Sequence, residues 1–544
     1  MTKPSYADAI STFDWSQALD DLGWNGLTDV DLAWTLVDRH VSAGLGHRTA
    51  ILWVGADGTE RRVSFSELSN ESKRVANLLQ RHGLKIGDRV AGILPRAPET
   101  VSIIVGCLRA GAIYVPIFSG FAAEAVSYRL EHSSARFAFV GSKYRHLVGP
   151  NNSIKVIALG AGEAGDIDYT GSTASEADTF VSVKTSRSAP AFIIYTSGST
   201  GKPKGCVIAA NLPAAMWPYV RFSLDLQPAT DVFWPTGDPS WGYGLCCYLP
   251  ALAAGASIIS VEPNASAEVC LDIISKYGVT NFATNPTVLR SLMARGDSIA
   301  QAGTSVRAIS CCGEPLNGEV VTFFQRVWGC TPMDHFGATE FGLPVGNHNS
   351  LLMAVKPGSM GLPSPGQTMA IVNEEGAELP SGTTGFIAQR TNANSQYWLQ
   401  YWNDRDATNA LSKGEWKCTG DFARRDDDGY YWFEGRSDDI IKSSGYRIGP
   451  FEIESALLRH PDVVEAAVVG TPDELRGEAI KAFVVLRVPP HDAEALSSEL
   501  VQLAKSVCGR HQYPHLIEFV ANLPKTQTGK IQRFLLRSSG STGH

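Results

Sequence analysis

Ala191-Phe192-Ile193-Ile194-Tyr195-Thr196-Ser197-Gly198-Ser199-Thr200-Gly201-Lys202-Pro203-Lys204-Gly205 decides the reading of this chain. An apolar, strand-like run feeds directly into a loop of three glycines, a series of hydroxyls and two lysines. Glycine allows turns that a Cβ would block, hydroxyls donate hydrogen bonds and the ammonium groups supply charge, so the loop can wrap a polyphosphate. A plain linker would not usually follow a buried strand or concentrate these residue types. The Walker pattern fails, because Pro203 stands where its second glycine belongs, and a P-loop kinase or ATPase is disfavoured.

Around this loop the chain has 544 residues, 44% hydrophobic and 19% charged, enough to bury large cores and to divide into more than one domain. Net charge is −8, from 47 basic against 55 acidic residues, and the longest like-charge run is Asp426-Asp427-Asp428, which argues against a nucleic-acid partner. Apolar stretches such as 249–259 are shorter than the ~18–20 residues that cross a bilayer. Residues 1–20 show no signal-peptide core, so a cytoplasmic protein without a membrane span is expected. The ten cysteines include no C-x-x-C pair and read as reduced, buried thiols.

Segments of helical period alternate with short β-branched runs. Residues 66–82 suit a helix, and 231–236, 256–261 and 306–310 suit strands, which predicts mixed α/β layers. Beyond Arg436 the pattern becomes that of a compact unit: 463–469 and 482–488 read as strands, and Leu496, Leu500, Leu503 and Val507 fall at helical spacing. The expected fold is α/β, with a large N-terminal domain (1–437) of several subdomains, β-sheets flanked by helices, and a small α+β C-terminal domain (438–544).

Further motifs follow the loop in order: Gly313-Glu314-Pro315, Asp334-His335-Phe336-Gly337-Ala338-Thr339-Glu340, Thr419-Gly420-Asp421, Gly435-Arg436-Ser437-Asp438-Asp439, Ser444-Gly445-Tyr446-Arg447 and Pro524-Lys525-Thr526-Gln527-Thr528-Gly529-Lys530. Together they resemble the AMP-forming acyl- and aryl-CoA synthetase, luciferase and adenylation-domain superfamily over nearly the whole chain. The best overall resemblance is to medium-chain acyl-CoA synthetases, through Lys356-Pro357-Gly358-Ser359-Met360-Gly361, 443–454 and 523–533.

That resemblance implies an acid-CoA ligase using ATP, Mg²⁺ and coenzyme A. A carboxylate is a poor acyl donor because its leaving group would be oxide. Attack on the α-phosphate of ATP makes an acyl-adenylate and releases pyrophosphate; a thiol then displaces AMP. Negative charge gathers on phosphate in the first step, which calls for positioned cations and donors. By resemblance, Lys530 reaches the acyl carboxylate and α-phosphate, Thr339 touches the α-phosphate, and Glu340 helps hold Mg²⁺, a hard cation suited to oxygen. Thr196, Ser197, Gly198, Ser199, Thr200, Gly201 and Lys204 surround the phosphates. Gly313, Glu314 and Pro315, with Asp334, His335, Phe336 and Gly337, enclose the adenine, Phe336 offering a stacking ring. Asp421 accepts the ribose hydroxyls and Arg436 contacts the same nucleotide. Each residue also has an ordinary structural reading: surface charge for Lys530, helix cap for Thr339 and Glu340, core ring for Phe336, salt bridge for Asp421 and the arginines.

Family enzymes rotate their C-terminal domain between the two steps, and Asp438 stands at the matching hinge position. Ser444, Gly445 and Tyr446 resemble the segment bordering the pantetheine path, while Arg447 and Arg476 are cations able to meet carboxylate or CoA phosphates. At His515 the closest relatives usually carry a more basic residue, which puts a contact there in doubt. Trp241, Gly242 and Tyr243 line a wall of the acyl pocket. Gly337 replaces the tryptophan that floors the pocket of acetate-specific synthetases, leaving room for several methylenes. The acid expected is therefore a short- to medium-chain fatty acid, with an aryl or branched acid as the alternative because Tyr243 is large. Other readings are a stand-alone adenylation enzyme loading a separate carrier protein, since only 14 residues follow Lys530, and a nucleotide-binding regulator without catalysis. Oligomeric state stays open, a dimer among the options.

Overall fold

The structure, a computed structural model, describes residues 3–149, 153–196, 202–436, 439–443, 446–473, 476–508, 512–525 and 531–539. Two large sheets dominate the first four-fifths of the chain. The eight-stranded sheet runs Trp398–Tyr401, Lys204–Ala209, Pro190–Thr196, Ile113–Pro116, Arg89–Ile93, Ala135–Gly141, Lys155–Leu159, Ile167–Asp168. The nine-stranded sheet runs Leu362–Pro363, Gly342–Gly346, Pro332–Ala338, Ala308–Cys312, Asn281–Thr284, Phe233–Pro235, Ile258–Val261, Thr49–Val54, Glu60–Ser64. The central strands of both, such as Arg89–Ile93 with Ile113–Pro116 and Phe233–Pro235 with Ile258–Val261, are parallel and buried, so they read as continuous apolar runs rather than as alternations; Ile258–Val261 is enclosed at every position. One core fills the space between the sheets, from Phe233 and Ile258 on one to Phe192 and Cys206 on the other.

Helices complete the layers. Phe65–Arg81 begins at a capping box in which Ser64 Oγ accepts from the Glu67 amide (3.2 Å) and Glu67 Oε2 accepts from the Ser64 amide (2.8 Å). It buries Phe65, Leu68, Val75, Leu78 and Leu79, one face of the period seen in the sequence. The expected strands at 231–236, 256–261 and 306–310 appear as Phe233–Pro235, Ile258–Val261 and Ala308–Cys312.

A third sheet of five strands includes Gly385–Arg390, Trp416–Arg425 and Tyr431–Arg436. Beyond it, Ile441–Ser443, Tyr446–Ile448, Val463–Asp473, Gly477–Leu486 and Leu516–Phe519 form a separate sheet, covered by Pro450–Leu457 and Ala493–Cys508 around Ile453, Leu457, Val468, Ile480 and Leu500. This small domain rests on the third sheet: a Cβ at Gly449 would lie 1.9 Å from the Glu434 carbonyl oxygen, so only glycine permits the approach. Asn317 Nδ2 also donates to Ser455 Oγ at 3.3 Å. All ten cysteines are free and nine are buried. Among the described residues no helix is long and apolar enough to cross a membrane.

Candidate active site

The two arms of the glycine-rich loop form an antiparallel hairpin, with Tyr195 opposite Gly205 and Thr196 opposite Lys204. Of the loop itself, Ser197, Gly198, Ser199, Thr200 and Gly201 lie outside the described residues. Its exit is anchored by Tyr128, whose hydroxyl donates to the Pro203 carbonyl at 3.1 Å. Tyr195 is held by His132, their hydroxyl and Nδ1 being 2.9 Å apart.

Three residues remote in sequence converge beside this hairpin. The Tyr401 hydroxyl donates to Glu340 Oε1 at 2.6 Å, and the Cys206 thiol approaches the same oxygen at 3.5 Å. Cys206 and Tyr401 are register partners on neighbouring strands, so the eight-stranded sheet presents both donors to one carboxylate. Burial, reinforced by the Glu340 charge, pushes both pKa values well up, so both groups keep their protons. Lys204 places its ammonium 5.1 Å from the centroid of the Tyr401 ring. One tyrosine thus ties the loop's lysine to Glu340. Neither Tyr401 nor Cys206 was singled out in the sequence.

Thr339 faces the start of helix Gly242–Ala253, where a Cβ on Gly242 would sit 3.6 Å from the Thr339 hydroxyl. The turn into that helix is tight: Gly244 approaches the Asp238 carbonyl so closely that a Cβ would lie 2.0 Å from its oxygen. Arg96 Nε pairs with Asp238 at 2.9 Å and fixes the turn. Trp241 packs into an aromatic group with Phe118 (tilted) and Phe121 (edge-on), centroids 5.2 and 5.5 Å away. Tyr243 is half-buried, its hydroxyl 3.5 Å from that of Tyr219.

Strand Pro332–Ala338 carries the next motif. Asp334 is buried and accepts from the Leu316 amide at 3.3 Å, which braces the turn after Gly313 (φ +102) against the strand. Burial pushes its carboxyl up to about 7, only partly offset by the Leu316 and His335 amides. Glu314 accepts from Arg290 at 2.6 Å and from Thr287 at 2.8 and 2.9 Å, so its side chain serves helix Pro286–Met293. Pro315 lies between these two anchors. His335 turns inward, against the Tyr219 ring and the Asn347 carbonyl. Phe336 is half-buried opposite Val345.

Gly337 departs from expectation. A Cβ there would meet the Gly342 carbonyl oxygen at 2.3 Å and Leu343 Cδ2 at 2.6 Å. A side chain at this position collides with the neighbouring strand before it can enter an acyl tunnel, so the glycine is required by backbone packing here. This packing reason stands beside the pocket role expected of Gly337.

In the third sheet Asp421 and Arg436 are register partners on adjacent strands. Asp421 is buried, accepting from the Thr419 hydroxyl at 2.5 Å and from Arg436 Nη1 at 3.4 Å. In the small domain, Asp438, Ser444, Gly445 and Lys530 lie outside the described residues, while Tyr446 and Arg447 begin strand Tyr446–Ile448. Arg476 is exposed and paired with Asp473 at 3.3 Å. His515 Nδ1 accepts from the Ile480 amide at 2.9 Å, and burial followed by the Arg476 charge lowers its pKa. It is a neutral anchor.

The chemistry of Glu340 fits a shared divalent cation. Among the described residues no group of three or more His, Cys, Asp or Glu could hold a metal by itself. A single carboxylate beside a phosphate loop suits Mg²⁺, which keeps few protein ligands and takes the rest from phosphate and water.

The model of the AMP-binding enzyme matches residues 38–398, and that of the AMP-binding enzyme C-terminal domain matches 452–530. The chain belongs to the AMP-binding enzyme family. It is 34% identical over 546 residues to the acetyl-coenzyme A synthetase of Bacillus subtilis (strain 168), spanning 98% of this chain and 95% of that protein. It is 35% identical over 528 residues to the mitochondrial acyl-coenzyme A synthetase ACSM4 of Mus musculus, 94% and 90% of the two chains. A solved acyl-CoA synthetase of Brucella canis superposes with a TM-score of 0.78 at 36% identity, covering 99% of each chain. This AMP-binding enzyme therefore shares both of its domains with acyl-CoA synthetases.

Proposed function

We propose that this AMP-binding enzyme is an ATP-dependent acid-CoA ligase that joins a small carboxylic acid to AMP and passes the acyl group to coenzyme A. The carrying observation is the convergence of Lys204, Tyr401, Cys206 and Glu340 beside the loop hairpin, with Thr339 at the mouth of helix Gly242–Ala253. Two of its relatives are named acetyl- and acyl-coenzyme A synthetases, and a short- to medium-chain acid is the substrate we assign here.

In the first step the acid enters along Trp241, Gly242 and Tyr243, and its carboxylate meets the α-phosphate next to Thr339. Lys204 and the loop amides balance charge on the phosphates, and Lys530 adds a cation where charge builds between carboxylate and phosphorus. Glu340, held by its two donors, keeps its oxygens in one place; Mg²⁺ bound there would neutralise phosphate charge. Asp421 receives the ribose hydroxyls, and Arg436 steadies it. In the second step the C-terminal domain turns about Asp438, Lys530 leaves, and Ser444, Gly445 and Tyr446 border the incoming thiol, with Arg447 and Arg476 available to CoA phosphates.

The test is AMP release from a panel of straight, branched and aromatic acids, with CoA, with candidate carrier proteins, and with neither. Release that rises several-fold with CoA alone supports the ligase. Release that responds only to a carrier transfers the reading to a carrier-loading enzyme, and no ATP–pyrophosphate exchange with any acid overturns acid activation altogether.

A further inference from the structure

Tyr401 ends strand Trp398–Tyr401, the edge strand of the eight-stranded sheet on the side of the glycine-rich loop. Its main chain is fixed on both sides. The Tyr401 amide donates to Thr408 Oγ1 of helix Arg405–Ala410 at 2.9 Å, and the Trp402 amide donates to the Gly205 carbonyl at the loop exit at 2.7 Å. The side chain is only 6% exposed, and its ring lies edge-on to Trp398 with centroids 5.3 Å apart. A tyrosine held in this way carries its hydroxyl to one point, Glu340 Oε1, at 2.6 Å, the length of a charge-assisted O–H···O⁻ bond.

The Cys206 thiol, from the neighbouring strand, reaches the same oxygen at 3.5 Å. Among the described residues both donors go to Oε1 and none to Oε2. Unlike its buried donors, Glu340 is partly exposed. The carboxylate is therefore pinned through one oxygen, and the other is left for a cation. Mg²⁺ fits that offer, since it demands regular octahedral geometry and takes most of its ligands from water and phosphate. The face of the same tyrosine ring lies 5.1 Å from the Lys204 ammonium. Lys204 and Glu340 thus each take the tyrosine rather than each other, and both charges stay available to a metal-bound polyphosphate.

We propose that Tyr401 is a positioning residue for the metal of this site, fixing Glu340 so that it offers Mg²⁺ a single, pre-oriented oxygen. This deepens the ligase reading and rests on its assignment of Glu340 to the metal. Without the hydroxyl, Glu340 is free to turn about its side-chain bonds or to pair with Lys204, and either change withdraws the oxygen from the cation. Loss of the partner that orients a metal ligand typically weakens metal binding by about 10–100-fold.

The experiment measures by calorimetry how far saturating Mg²⁺ raises the affinity of the full chain for a non-hydrolysable ATP analogue, relative to the metal-chelated sample. Tyr401→Phe keeps the ring beside Lys204 and removes only the hydroxyl, so this Mg²⁺ enhancement should fall by about tenfold or more. Cys206→Ala removes the weaker donor and should lower the enhancement by less; it serves if the tyrosine variant does not fold. In a Glu340→Ala background Tyr401→Phe should cause no further loss, because the hydroxyl acts through that carboxylate alone. The Mg²⁺ concentration for half-maximal ATP–pyrophosphate exchange should rise in parallel. A role confined to folding would weaken the analogue equally with and without metal. An enhancement within about twofold of wild type in folded Tyr401→Phe, or in Cys206→Ala should Tyr401→Phe not fold, would therefore overturn the proposal while leaving the ligase in place. A further loss of the same size in the Glu340→Ala background would overturn it too. Absence of exchange with every acid overturns the ligase reading, whereas analogue binding needs no acid and decides the role of Tyr401 by itself.

Discussion

Lys530 and Gly337 are the two residues at which local chemistry makes the sharpest demands. Lys530 is assigned to charge that builds only while carboxylate attacks phosphorus, so Lys530→Ala should lower ATP–pyrophosphate exchange by a factor of about 10²–10³, in the range for loss of a transition-state donor. Thioester formation from supplied acyl-adenylate and CoA should survive largely intact. Exchange near the wild-type rate would remove the lysine from the mechanism. At Gly337 the 2.3 Å approach of a built Cβ to the Gly342 carbonyl sets a packing argument against the substrate one. Gly337→Trp should cut kcat/KM by more than about tenfold for every acid from two to eight carbons and lower the melting temperature, because overpacking costs about 1–3 kcal/mol. A selective loss confined to the longer acids would restore the tunnel assignment. Residues inside contiguous motifs were legible in the sequence because the motif itself is local. Tyr401 and Cys206 were not: they lie 61 and 134 positions from Glu340, and only strand register brings them to its carboxylate.

Elements with a clear period were legible for the same local reason. The helix expected at 66–82 is Phe65–Arg81, its start fixed by the Ser64–Glu67 box, and the helical spacing of Leu496, Leu500, Leu503 and Val507 falls within Ala493–Cys508. Strands expected at 463–469 and 482–488 appear as Val463–Asp473 and Gly477–Leu486, longer or shifted because pairing in one long hairpin, not side-chain pattern, sets their ends. The third sheet was not read at all. Trp416–Arg425 mixes charge with apolar residues, turns at Gly420 (φ +81), and shifts register between Phe422 and Ala423, which breaks the alternation that marks a strand. Within that sheet, Glu434 is buried and its carboxyl is raised to about 7, first by burial and then by Glu452 of the small domain. Arg424, 2.9 Å from Glu434, opposes the rise but also lies 3.7 Å from Glu452. A carboxyl whose folded pKa lies above its ordinary 4.5 binds its proton more tightly when folded, so its contribution to stability is present below about pH 4.5 and is lost as pH rises through about 7. Glu434→Gln has no proton to lose. Its melting temperature relative to wild type should therefore be higher at pH 8 than at pH 5, by about 1–3 °C. Thermal unfolding at the two pH values checks this, and an offset independent of pH would mean that Glu434 is not titrating across that interval.

At the scale of the whole molecule, the two half-reactions make incompatible demands on one acyl carbonyl. In the mechanism proposed above, adenylation needs Lys530 close and a path for pyrophosphate to leave; thioester formation needs that space for a thiol. A small domain with its own core, joined to the large one through residues 437 and 438, can meet both demands only if the joint turns. The contacts holding the present arrangement are suited to release. Asn317 to Ser455 is a single 3.3 Å hydrogen bond, and Arg459 to Glu319, at 3.4 Å, is an ion pair with both side chains about half exposed, a kind that contributes little in water. The closest approach, Gly449 against the Glu434 carbonyl, lies only eleven residues past the proposed pivot, where a rotation displaces atoms least. Proline fixes φ near −65° and removes an amide donor, so Asp438→Pro should restrict the turn without touching any group that contacts ATP. ATP–pyrophosphate exchange reports the first step alone, whereas AMP release with CoA requires both. The variant should hold exchange within about threefold of wild type while CoA-dependent turnover falls by more than about tenfold, as expected when a gating motion is impeded. Equal loss in the two assays would mean that residue 438 supports the fold of the joint and does not govern its rotation, and the pivot would then have to lie elsewhere along the connection.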